Sequence, residues 1–238
     1  MGNRFMSLLW LRWQFILSNK LFLFTVFSPI LYMAIFAALG NPEINASLIG
    51  TGINLVYSYT AGTFASTMIS EEKEKKNLKA LILSGVRQGE YILSVVVFPL
   101  LFSLISSILI PIIMQIQDMD WGKFLVVVSL TNLIFVLLNL LIAFLAKNQT
   151  QTTVCSLTLV IIASFLPLFS EFIKSVNKFM QYSFIGANAK YFKELSSYQL
   201  TDQTMVVLLI WIFLTSIALY FAYKKNRKLI SELKLFEK

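Results

Sequence analysis

Six apolar stretches separated by polar breaks organise the chain: about Leu21 to Leu39, Ile53 to Ile69, Tyr91 to Met114, Lys123 to Ala146, Thr152 to Phe169 and Thr204 to Tyr223. Each comes close to the roughly 20 residues that an α-helix needs to cross the hydrocarbon of a bilayer. The pattern predicts an all-α membrane protein: one transmembrane domain over residues 1–238, with six transmembrane helices. Ahead of the first span, residues 4–19 interleave Phe5, Leu8, Leu9, Leu11 and Ile16 with Arg4, Arg12, Gln14 and Asn19, which predicts an amphipathic interfacial helix. The first span exceeds the roughly 7 to 15 residues of a signal-peptide core, so it is expected to be retained. Most outer breaks are short, but residues 170–203 show helical spacing twice. Phe172, Ile173, Val176, Phe179 and Met180 form one apolar face, and Tyr191, Phe192, Leu195 and Tyr198 another, with Gly186 between. Two short helices resting at the outer leaflet are expected, against the alternative of a loop with incidental periodicity.

Composition agrees with this division. Apolar residues make up 57% of the chain and charged ones 13%, with a mean hydropathy of +0.74, so the bilayer is its solvent. The formal charge of +8 would suit nucleic acid if it lay on one soluble face, but the bases sit at the ends of apolar segments and read as membrane orientation. In the six-span topology, all of the 20 basic residues except Lys123, Lys174, Lys178, Lys190 and Lys193 fall on one side. That side is expected to be cytoplasmic and to hold both termini. Frequent Lys, Ile, Phe and Asn fit the cell membrane of an AT-rich Gram-positive bacterium.

The candidate chemistry is defined by what the spans lack. Histidine is absent, Cys155 is the single cysteine, and all 12 acidic residues lie in breaks or near the termini. A charge at mid-bilayer costs about 2.5 to 3.5 kcal/mol and is kept there for ion coupling or catalysis. A proton-coupled carrier, an intramembrane protease, a resident metal or cofactor and an enzymatic role for this chain are therefore not expected. No GxxxxGK phosphate loop occurs either. What the spans do carry is small and hydroxylated residues in rows: Ser58, Gly62 and Ser66 in the second, and Thr153, Ser156 and Ser164 in the fifth. Such rows serve either close helix packing or a translocation path.

The largest polar island on the basic side runs from residue 71 to 90. Glu71 to Lys76 reads Glu-Glu-Lys-Glu-Lys-Lys; Leu78, Leu81, Ile82 and Val86 then recur at helical spacing, and Gly85 and Gly89 allow a turn before Glu90 and Tyr91. A charged run alone is usually a solvated helix end. A short amphipathic helix following it is less ordinary.

Here the chain resembles the permease subunits of ABC-2 type ABC transporters. In that family a charged stretch after the second span leads into a helix with a leucine-x-x-leucine pattern, a small residue and valine, then a glutamate at the start of the third span. The matching positions are Glu72, Glu74, Leu78, Leu81, Ser84, Gly85, Val86, Glu90 and Tyr91. Two departures stand out: Lys76-Asn77 replaces a common Gly-Thr, and Gly85 stands where Pro is frequent. The layout is similar as well, with an amphipathic lead helix, six spans and a longer outer segment before the sixth. The resemblance implies that residues 72–86 hold a coupling helix that docks on a separate ATPase subunit, present in two copies and carrying ATP and Mg. Lys147 to Gln151, including Gln149, would be a smaller second contact. It also implies a second permease copy, as a homodimer, or a sister permease, with the second and fifth spans facing a central cavity.

On this basis the expected function is that of an exporter permease for amphipathic peptides or lipid-like molecules, as in bacteriocin and phenol-soluble modulin export, with membrane lipid but no nucleic acid as a partner. Two other classes compete: a non-transporting membrane anchor or sensor acting through its cytoplasmic loop, and an ion-coupled carrier.

Overall fold

The computed structural model describes residues 2–40, 42–75, 77, 80–81, 85–116, 119–195 and 197–236. Among these residues every regular element is a helix. The chain opens with α1 (Gly2–Ser18) and α2 (Lys20–Leu39). α3 (Pro42–Leu55), a π-helical segment (Val56–Thr63) and α4 (Phe64–Glu74) then follow as one uninterrupted run. After the island come α5 (Gln88–Ile113), α6 (Trp121–Leu145), α7 (Gln149–Phe172), α8 (Lys174–Met180), α9 (Phe184–Lys193) and α10 (Gln203–Phe236).

Among the described residues, five helices are long and apolar enough to cross a membrane, over Phe22–Leu39, Gly89–Ile113, Trp121–Leu145, Gln149–Pro167 and Gln203–Lys224, the pattern of a multi-pass membrane protein. The stretch expected as a second span, residues 53–69, belongs to the α3–π–α4 run, and this differs from a plain α-helix in two ways. It is already helical from Pro42, a residue suited to a first helical turn because it has no amide hydrogen to satisfy. Its middle is then π-helical. The Thr63 hydroxyl donates to the Ser58 carbonyl five residues back at 3.0 Å, and Thr60 donates across to the Thr25 carbonyl of α2 at 3.1 Å. One hydroxyl of the widened turns thus takes up a carbonyl of the same segment and another ties the segment to α2.

α6 is the central pillar. Its buried residues, among them Phe124, Val128, Asn132, Phe135, Asn139 and Phe144, run along its whole length, and it packs against α4, the π segment, α5, α7 and α10. A helix with apolar residues all round is buried in protein or faces lipid, and α6 is the most enclosed of the five long apolar helices among the described residues. The core forms two tiers. One gathers Ile53, Tyr57, Phe124, Phe135, Phe184 and Leu208, and the other Phe22, Phe64, Tyr91, Val95, Leu140 and Phe144. Ring pairs lock each tier, with centroids 4.6 Å apart for Phe22 and Phe64 and 5.2 Å apart for Phe135 and Phe184.

Residues 170–203 do hold two short helices, but the second begins at Phe184, so Gly186 lies inside α9 and not between helices. α9 also penetrates the first tier. Phe184, Ile185, Ala187, Asn188 and Tyr191 are buried, and Asn188 bridges the second-span run by donating to Asn54 Oδ1 at 2.9 Å and accepting from the Tyr57 hydroxyl at 3.3 Å. Gly186 is there because its Cα faces backbone: a Cβ would lie 1.9 Å from the Met180 carbonyl oxygen. The ammonium of Lys190 donates to Asp202 Oδ2 at 2.7 Å, fastening α9 to the start of α10.

Two outcomes follow. Gly186→Ala should lower stability in detergent by about 2 kcal/mol or more, because backbone must move. Gly89→Ala, with nothing near its would-be Cβ, should instead raise it by about 0.5–1 kcal/mol; thermal melts of the two variants check this. The Lys190 ammonium holds Asp202 below the usual carboxylate range, and the hydrogen bond to Asp202 raises Lys190. The pair therefore contributes fully above the ordinary Asp value, and its contribution is lost as pH falls through the lowered Asp202 pKa. It is lost again as pH rises through the raised Lys190 pKa. Asp202→Asn should flatten the acid limb of a plot of Tm against pH.

Candidate functional site at the charged end of the second-span run

In an α-helix consecutive side chains leave the axis about 100° apart, so the last turn of α4 points Glu72, Lys73 and Glu74 in three directions. Each meets a different part of the bundle. Glu72 turns inward and is buried; its Oε1 accepts from Arg12 Nη1 of α1, and its Oε2 accepts from the Tyr91 hydroxyl of α5 at 2.6 Å. The Arg12 guanidinium stacks 5.3 Å from the centre of the Tyr91 ring, and its Nε points to Ser94 Oγ at 3.5 Å. Ser94 in turn donates to the Tyr91 carbonyl at 2.7 Å.

Lys73 reaches the end of α6. Its ammonium donates to the carbonyls of Ala143, Phe144 and Ala146 at 2.9, 3.3 and 2.6 Å. The last carbonyls of a helix have no partners within it and carry the negative end of its dipole, so a cation there satisfies both needs. Burial lowers the Lys73 pKa, and the three carbonyls offset that cost. Glu74 points to the start of α7, where Oε1 accepts from the Gln149 amide at 2.6 Å beside the positive end of that dipole. Asn148 caps the same helix by accepting from the Gln151 amide at 2.8 Å. Glu71 pairs with Lys75 one turn on.

Each residue singled out from the sequence has a place. Glu72 is an interior strut and not a surface group. Glu74 and Gln149 touch, with Lys147 exposed beside them. Leu81 and Val86 are half-buried against the second core tier, and Gly85 turns the chain with φ of +83°, a conformation that suits glycine. Leu78 and Ile82 lie outside the described residues. The two hydroxyl rows meet: Ser66 Oγ and Ser156 Oγ are 2.9 Å apart and buried. Gly62 admits Asn139 of α6, whose Nδ2 would lie 2.3 Å from an added Cβ. Ser58 and Ser164 hydroxyls are buried with no partner among the described residues, and Thr153 donates to the Gln149 carbonyl at 3.0 Å. Within one chain, then, Gly62, Ser66 and Ser156 pack helices together.

Arg12 and Ser94 belong to the site although no motif marked them, and Lys73 joins it from within the charged run. Arg12 had a signal. It stands four residues from Leu8 and four from Ile16, and these three residues form the buried stripe of α1, while Met6, Trp10, Trp13 and Leu17 face outward. The arrangement links four helices through three consecutive side chains. No protein-family model and no curated protein matches this chain.

Arg12→Met should strand the Glu72 carboxylate and cost roughly 3–5 kcal/mol, whereas Arg12→Met with Glu72→Leu should cost less than Arg12→Met alone, because no buried charge then lacks a partner. Comparison of thermal midpoints in one detergent checks this.

Proposed function

We propose that the chain is the membrane-spanning permease subunit of an ATP-driven exporter of the ABC-2 type. Motion generated in a separate ATPase, which binds ATP and Mg, enters at residues 71–90. The observation that carries this reading is the three-way anchoring of Glu72, Lys73 and Glu74 to α1 and α5, to α6 and to α7. A push on the island passes to four helices at once, and packed helices with fixed polar ties move as a body.

In this reading the α3–π–α4 run is a sixth crossing, α1 lies at the inner interface, and both termini are cytoplasmic under the loop-charge rule. Leu81 carries the docking contact, Glu74, Lys147 and Gln149 form its flank, and Glu72 acts behind the surface as a positioning residue. A second permease copy completes the pathway. The substrate is an amphipathic peptide or a lipid-like molecule, consistent with spans that carry hydroxyls but no charge away from their ends.

The test is copurification of the tagged chain from its own host, followed by assay of ATP turnover in vesicles. An ATPase should be recovered, and Leu81→Asp should weaken its binding about tenfold or more, the equivalent of one lost hydrophobic contact, with export falling in parallel. Recovery of no ATPase would favour the anchor or sensor reading. Unchanged binding and export in Leu81→Asp would overturn the assignment of the docking helix.

A further inference from the structure

The groove between α1 and the island has a charge pattern that the mechanical ties leave incomplete. It consists of two adjoining clefts of about 370 and 380 Å³, which share Phe15, Glu71 and Lys75. The first continues past Leu11, with Arg12 in its lining, to Ala80 and Leu81; the second continues to Asn19 and Lys20. One wall is therefore apolar, from Leu11, Phe15 and Leu81, and the other is polar.

Among the described residues that line this trough, the cations are Arg12, Lys20 and Lys75 and the carboxylates Glu71 and Glu72. Arg12 neutralises Glu72, and Lys75 neutralises Glu71. Lys20, exposed at the first residue of α2, forms no ion pair among the described residues, so one positive charge is in surplus. Arg12 adds a second unmet demand: its Nη2 is buried and has no hydrogen-bond partner among the described residues. A buried donor of this kind is destabilising until an acceptor reaches it. Nothing in the links among α1, α4 and α5 supplies that acceptor.

We propose that this trough binds one anionic phospholipid from the adjoining leaflet. Its phosphate is received by Lys20 and Lys75 above Arg12, and an acyl chain lies along Leu11, Phe15 and Leu81. One anionic headgroup balances the surplus charge. A phosphate also presents several acceptor oxygens to ammonium and guanidinium donors, which are among the stronger hydrogen bonds in proteins. The position suits a lipid more than a soluble anion, since α1 carries Trp10 and Trp13 exposed on its outer side, the residues favoured at membrane interfaces. The lipid would fill the seam between α1 and the island, cementing the N-terminal helix to the segment that α4 anchors. The proposal does not depend on the ATPase partnership, so the two stand or fall separately.

The experiment is native mass spectrometry of the full chain in detergent, titrated with palmitoyl-oleoyl phosphatidylglycerol, with palmitoyl-oleoyl phosphatidylcholine, and with inorganic phosphate alone. Phosphatidylglycerol should be retained about tenfold more strongly than phosphatidylcholine, the worth of one charge-assisted contact. Lys20→Gln should remove that preference, and Lys174→Gln at the far end of the bundle should keep it. Both substitutions change exposed lysines, so the result does not hinge on a variant that fails to fold. Equal retention of the two lipids, or equal loss in both variants, would overturn the proposal. So would inorganic phosphate binding as tightly as the lipid, since the site would then take a soluble anion.

Discussion

The buried ion pair between Arg12 and Glu72 is the constraint on which the charged end of this bundle depends. Two charges removed from water cost several kcal/mol each unless their hydrogen bonds are met. Here the Tyr91 hydroxyl takes the second carboxylate oxygen and the Tyr91 ring lies beside the guanidinium. The pair needs α1, α4 and α5 all in place at once. Replacing it with apolar residues would serve packing as well, so its merit is specificity: only one register of α1 satisfies Glu72. The fixed register in turn sets where Lys73 and Glu74 emerge, and hence how the ends of α6 and α7 are held.

The π-helical segment gives the same run a different character halfway along. Below it, α4 is tied by charges; above it, α3 is tied through Asn54 to Asn188 of α9. Between them Gly62 accepts Asn139, and buried hydroxyls such as Ser58 have no partner among the described residues. Widened turns lined with under-satisfied polar groups are less costly to rearrange than a regular α-helix. One end of the run is thus held by charged ties, while its middle carries buried hydroxyls with no partner among the described residues.

Much of the fold was legible because apolar length is a strong signal. The helices around α2, α5, α6, α7 and α10 fall where the apolar stretches lie, and the two rows of small and hydroxylated residues lie on helices that meet at Ser66 and Ser156. The second-span run was harder to read. Its hydroxyl-rich middle lowers the hydropathy, and nothing in the spacing separates a π turn from an α turn. Gly186 was misleading in the other direction: glycine as a breaker and glycine as a point of close approach look alike until the Met180 carbonyl is seen beside it. The site was half legible. Glu72, Glu74 and Gln149 stood out by their place in a polar island, but a charged run gives no hint that consecutive members face different helices. Arg12 was taken as part of a polar face, although its spacing from Leu8 and Ile16 put it in the buried stripe.

The charged end of the second-span run is held as a rigid part of the bundle and is not a solvated helix end. Hydrogen exchange of the full chain in lipid nanodiscs tests this most directly. The amides of residues 70–75 should exchange as slowly as those of α6, held by the ties of Glu72, Lys73 and Glu74. Exchange of residues 70–75 within seconds, at the rate of an exposed loop, would contradict the account.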